Sequence, residues 1–356
     1  MTSIARAPGR VNLIGGHVDY HDGPVVATAM ELGVECRFDT RDDARIVVRS
    51  DSFAGTVDIA ADGRDAPGSV EPRWGRLVAA VTAELAHLGR APVGIEAIVT
   101  SSLPAGCGLS SSAAFEVAIA LALVTAAGMQ VEALALARAC QTAELAATGV
   151  PCGIQDQVAS IAGTRGHAVL LDCRDLSIAS LPMPADAAVV VVDSGVTRTL
   201  EGSPWVARRA ESFADAERLG LRVLRDAAVG QVADRPRARH VVEEMQRVWH
   251  FADALGAGDI RGAGALMLAS HASSRDLFES SVPELDRLVE LFVEAGAFGA
   301  RLTGGGFGGC VVALAPAASA AEIAATVVAR YEQATGRTSQ AFVSEPADGA
   351  SVTMLT

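Results

Sequence analysis

The strongest constraint on the fold is the run GIEAIVTSSLPAGCGLSSSAAFEVAIALALVTAAGM, residues 94–129. Residues 94–101 alternate as a strand should, and the chain then passes through a turn and a glycine loop into a helix. That helix carries the longest apolar run of the sequence, residues 117–129, after Glu116. A helix apolar on every face belongs in a core, and the run is short of the roughly 18–20 residues that a membrane span requires. The chain therefore has to wrap other elements around a buried helix. With 356 residues, it is long enough for two packed domains, or for two lobes around a cleft.

The net charge of −13 repels nucleic-acid backbones and anionic lipid alike. A small molecule is the expected partner, with no nucleic acid and no membrane, and the chain is expected to act as a monomer. The six cysteines are scattered with no C-x-x-C pair, which points to a reducing cytoplasm rather than a disulfide framework or a zinc site. The start, MTSIARAPGR, lacks the apolar stretch of a signal peptide. There is no lysine anywhere in the sequence. That excludes a P-loop lysine, a protein-kinase strand lysine and a Schiff-base lysine together.

Strand-like stretches fall at residues 25–39, 94–101, 168–172, 188–193, 299–303, 310–315 and 340–343. Helical spacing marks 72–89, 131–148, 203–227, 237–257, 259–274, 283–295 and 319–335, the last opening with Ser319 and Glu322 at capping-box spacing. The elements mix without a regular βαβ rhythm, so the expected fold class is α+β. The expected division is a lobe of residues 1–185 and a lobe of 186–356.

Four stretches have the composition of a site. In LPAGCGLSSSAA (103–114), Gly106 and Gly108 let backbone amides approach an anion, and Ser110, Ser111 and Ser112 stand where a helix begins and its dipole favours phosphate. The same serines would serve as an ordinary cap on a buried helix. CGIQDQ (152–157) presents Asp156 after Gly153 in apolar surroundings, as a base or as a turn residue. LTGGGFGGC (302–310) has the G-x-G-x-x-G form but leads into a strand, so Gly304, Gly305 and Gly306 fit a turn packed against a ligand or a loop better than a dinucleotide site. In GRVNLIGGHVDYHD (9–22), an extended backbone would project His17 and Asp19 to one side, ready for a small polyol or simply for water.

Together and in this order, APGRVNLIGGHVDY, LPAGCGLSSSAA, GVPCGIQDQ and GARLTGGGFGGC resemble the signatures of the galactokinase branch of the galactokinase, homoserine kinase, mevalonate kinase and phosphomevalonate kinase (GHMP) superfamily. Intervening segments such as RWGRLVAAV, SPWVARR and ARHVVEEMQRV resemble it too, so the likeness spans nearly the whole chain. The resemblance implies a two-lobed GHMP kinase fold, and transfer of the γ-phosphate of MgATP to the anomeric hydroxyl of galactose in the cleft between the lobes. Carried over by position, Asp156 matches the catalytic aspartate and Arg10 the arginine beside it. Ser112 and Glu144 match the Mg2+ ligands. The loop with Gly106, Gly108, Leu109, Ser110, Ser111 and Ser112 would cradle ATP, Trp74 would pack on adenine, and Gly16, His17, Asp19, Gly153 and Trp205 would meet the sugar.

Three departures stand out from the family pattern. Gly16 replaces a glutamate expected to contact the sugar's 6-hydroxyl, Trp205 replaces a tyrosine expected at the 4-hydroxyl, and Gln155 replaces a methionine. Two of these fall on the sugar side, which brings L-arabinose or another pentose or C6-modified sugar into view as substrates. A non-catalytic sugar and ATP sensor is the reading from another class, opposed by the intact Asp156, Arg10 and serine loop.

Overall fold

A computed structural model describes residues 2–104, 107–197 and 204–355. The chain runs β1 (Ser3–Ile14), β2 (Pro24–Arg41), β3 (Arg45–Ser50), β4 (Thr56–Ala60), α1 (Gly75–His87), β5 (Gly94–Ser101), α2 (Ser111–Ala126), α3 (Ala133–Thr148) and α4 (Gln155–Ala162). It continues through β6 (His167–Asp172), β7 (Ser177–Pro182), β8 (Ala187–Asp193), α5 (Pro204–Arg218), α6 (Pro236–Gly256), α7 (Ile260–Ser273) and α8 (Pro283–Glu294). The chain closes with β9 (Gly299–Leu302), β10 (Cys310–Pro316), α9 (Ala320–Thr335), β11 (Ala341–Ser344) and β12 (Ser351–Met354).

The apolar run becomes α2, and the structure buries it on all sides as its composition requires. Eleven of its residues are buried, and it packs on β1 and β2 on one side and on α1, α3 and α4 on the others. The strands behind it form one sheet in the order β12-β1-β2-β5-β3-β4, with β6 also pairing with β2 and β7 beyond β6. Among the described residues of this sheet, only β3 and β5 run parallel. A second, antiparallel sheet has the order β11-β8-β10-β9, covered by α8 and α9. The α+β expectation holds. The change of sheet falls between β7 and β8, and the final strand β12 then returns to pair with β1, a crossing that a division into 1–185 and 186–356 does not include.

Several expectations need correction. The helix expected over 203–227 ends at Arg218, because Gly220 takes a left-handed conformation and the chain turns back in short 3-10 turns. Ser319 makes no side-chain cap bond, so the capping box is not formed. Residues 15–22 are not extended. β1 stops at Ile14, Gly15 and His17 adopt φ of 98° and 64°, and Asp19–His21 form a 3-10 turn. His17 and Asp19 therefore reach the same cleft through a turn and not through a pleat.

Candidate active site

A cleft of about 260 Å³ opens where β1, the loop before α2, the start of α4, α5 and the glycine loop before β10 converge. β1 comes close to the phosphate loop because Gly9 has no side chain: a Cβ there would lie 2.5 Å from Leu103 Cδ2 and 2.8 Å from the Leu109 carbonyl. A register shift between Pro8 and Arg10 re-aims the strand at this point. The Arg10 amide donates to the Leu109 carbonyl at 3.2 Å, and its guanidinium grips two groups at once. Nη1 donates to the Gly108 carbonyl at 2.8 Å, while Nε and Nη2 donate to the two oxygens of Asp156, each at 2.7 Å. Such a two-pronged pair fixes orientation as well as charge.

Asp156 does not lie in a loop, as its glycine neighbour suggested, but in the first turn of α4. Ser110 donates to the same carboxylate at 2.5 Å and makes no cap bond to α2. The ordinary serine-cap reading thus fails for this residue. Ser112 donates to Glu144 at 2.8 Å, and Gln157 donates to Glu144 at 2.9 Å and to the fully buried Glu116 at 3.2 Å. Burial, and then repulsion between the carboxylates, pushes Glu116 well above the ordinary range and raises Glu144. Three acids therefore crowd the N-terminal end of α2, with Arg10 as the cation in contact with Asp156.

On the other side of the cleft, Asp19 rests against Gly153, where any Cβ would coincide with its carboxylate. Burial and the neighbouring Asp156 lift Asp19 to about 6. His17 stacks on Phe278 with ring centroids 4.2 Å apart and shares a hydrogen bond with the Tyr20 hydroxyl. Trp205 meets Tyr20 edge to face at 6.1 Å. It leans on Gly305, where a Cβ would come within 2.7 Å of the indole.

Gly16 is explained from below. A Cβ on it would lie 2.6 Å from Nη2 of Arg301, a fully buried side chain. Arg301 Nη1 donates to Asn12 Oδ1 at 2.5 Å, and Asn12 Nδ2 donates to Gln155 Oε1 at 3.1 Å. Among the described residues, Arg301 Nε and Nη2 have no partner. Two of the three departures, Gly16 and Gln155, therefore belong to one buried polar chain. Behind it, Glu244 receives the amides of Gly15 and Gly16. Against the cost of burial, Arg247 and Arg301 hold Glu244 down at about 2.

The cleft gathers Arg10, Gly16, His17, Asp19, Gly108 and Ser110. Ser111, Ser112, Glu144, Gly153, Asp156, Trp205, Gly304 and Gly305 complete the expected set along it. Leu109 is buried behind it and holds Arg10 through its carbonyl, and Gly306 packs against the Ser280 carbonyl. Gly106 lies outside the described residues. Trp74 does not line the cleft; it precedes α1, stacked on Phe53 and edge-on to Phe115. Sequence reasoning missed Arg301, and it left Asn12 and Tyr20, polar residues of the 9–22 stretch, without a role. Asn12 had a signal, since it shares a strand face with Arg10, and so did Arg301, a charge inside the otherwise apolar strand GARL.

The chain matches the family models described as GHMP kinases N terminal domain over residues 76–164, GHMP kinases C terminal over 251–333, and galactokinase galactose-binding signature over 2–36. A galactokinase of Roseiflexus sp. (strain RS-1) is 39% identical over 361 residues, covering 97% of this chain and 92% of that protein. The crystal structure of Lactococcus lactis galactokinase complexed with galactose superimposes with a TM-score of 0.92 at 29% identity, covering 98% of this chain and 95% of that one. Methanococcus jannaschii mevalonate kinase, at 15% identity and a TM-score of 0.71 over 97% of this chain and 98% of its own, shares the fold.

Proposed function

The chain belongs to the GHMP kinases and to their galactokinase branch, and from that premise we propose that it is an ATP-dependent galactokinase with Asp156 as its base and Arg10 as its partner. The observation that carries the assignment is the two-pronged Arg10–Asp156 pair at the N-terminal end of α2. An anomeric hydroxyl is more acidic than an ordinary alcohol, so a positioned carboxylate suffices to accept its proton as the oxygen attacks the γ-phosphorus and ADP leaves. Phosphoryl transfer otherwise demands positioning and charge neutralisation. The free amides at the start of α2 and the Arg10 guanidinium supply both without a lysine.

Ser112 and Glu144 suit Mg2+. They offer hard oxygen ligands beside Asp156, and the raised, mutually repelling carboxylates there favour a cation. Bound magnesium would neutralise charge on the phosphates, while this chain's own Arg10 and Ser110 orient Asp156. Asp19 and His17 fit the role of sugar ligands, with Gly153 leaving the room that Asp19 needs. Trp74, stacked on Phe53 outside the lining of the cleft, is the aromatic proposed to pack on adenine. The two lobes of the family are read here as the two sheets with their helices. A monomer in a reducing cytoplasm completes the reading, as the scattered cysteines of the sequence suggest for the compartment.

Gly16 favours one second reading. With Arg301 filling the space beneath it, position 16 itself brings no carboxylate to the sugar, as a pentose or a C6-modified sugar would tolerate. The assignment of the base is tested by Asp156→Asn. Turnover should fall by ~10²- to 10⁴-fold while ATP affinity measured by calorimetry holds. Turnover within tenfold of the parent would remove Asp156 from the role.

A further inference from the structure

Three segments that are far apart in sequence meet behind the phosphate loop. β8 ends at Asp193 and β10 begins at Cys310, and the two residues are direct partners across the antiparallel pair, so their side chains leave the sheet on one face. The loop before α2 brings Cys107 to the same place. That loop is held by Arg10 through the Gly108 and Leu109 carbonyls. The strand ends are held by the Ser194 amide on the Gly309 carbonyl and the Gly309 amide on the Val196 carbonyl. The Sγ atoms of Cys107 and Cys310 and a carboxylate oxygen of Asp193 all lie within 4.8 Å of one another. Cys310 is fully buried, Cys107 nearly so, and Asp193 half-buried.

We infer that Cys107, Cys310 and Asp193 form a binding site for a thiophilic divalent cation of the Zn2+ class, apart from the magnesium position at Ser112 and Glu144. Two sulfurs on one tetrahedral zinc, each about 2.3 Å from it, stand about 3.8 Å apart, so small side-chain rotations close the observed cluster on an ion. Thiolates select Zn2+ over Mg2+, which prefers oxygen and retains its waters. The half-buried Asp193 side gives the ion its entry and leaves a fourth position for water. Binding forms two metal–thiolate bonds, breaks two S–H bonds and releases two protons to solvent. Because Cys107 is part of the loop expected to hold the ATP phosphates, occupancy ties that loop to β8 and β10. The site stands on the cluster itself and does not depend on which sugar the enzyme phosphorylates.

The test is a Co2+ titration of the reduced full-length protein, followed by Zn2+ competition. The expected result is one equivalent of Co2+ giving a thiolate-to-cobalt charge-transfer band that Zn2+ removes. Cys107→Ser and Cys310→Ser should each lose half of the band or more, and Asp193→Asn should weaken binding ~10-fold or more. Proton release on adding Zn2+ to the unaltered protein should approach two per ion, a readout that does not require any variant to fold. A band unchanged in both serine variants, which would place the metal on other cysteines, overturns the site. So does the absence of any band and of any proton release.

Discussion

Asp19 shows how one side chain of the cleft bears on stability. Burial, and then the charge of Asp156, lifts its carboxyl from 3.8 to about 6. A carboxyl whose folded pKa lies above its unfolded value favours the folded state while protonated. That contribution is whole below about pH 4 and is lost as pH rises through 6. Asp19→Asn should therefore raise the thermal midpoint at pH 8 and leave it unchanged near pH 4. Thermal unfolding at the two pH values checks this, and an equal gain at both would contradict it. Gly16 carries a related lesson. The sequence marks it as a departure, yet its explanation is Arg301, 285 positions away in the chain by the two residue numbers, and only the fold brings the two together.

Elements were legible where composition left them no alternative. α2 could only be buried, and the alternation of residues 94–101 could only be a half-covered strand, as β5 is. The first turn of α4 was not legible, because Gly153 and a lone acid read equally well as a turn, and the helix exists through packing on β1 and α2. The turn at residues 15–22 was hidden for a similar reason: His17 holds a left-handed backbone that a pattern of polar residues does not announce. The energetic claim about α2 is testable. Leu123 is fully buried in its last turn, so Leu123→Ala should cost about 2–5 kcal/mol in urea unfolding, while kcat holds wherever the variant is folded. A cost below about 1 kcal/mol would mean that α2 is not the packed centre of the molecule.

At the scale of the molecule, the cleft exists because the chain leaves its first sheet after β7, builds a second, and lays α5 and the Gly304–Gly305 turn against the β1 and α4 side. Arg10, Asp156 and Trp205 come from three separate elements, and no window of sequence contains the site. The ordered motifs and their resemblance supplied the chemistry, whereas the buried chain from Arg301 through Asn12 to Gln155 came only from packing. That chain leaves Gly16 without a side chain but does not disturb Asp156, Arg10 or Asp19. The measurement that tests the account most directly is coupled ADP release with MgATP against galactose, L-arabinose, glucose, galactosamine, N-acetylgalactosamine and galacturonate, compared by kcat/KM. The account predicts that galactose leads. Leadership by L-arabinose or by a C6-modified sugar, or no galactose-dependent ADP release at all, would contradict it.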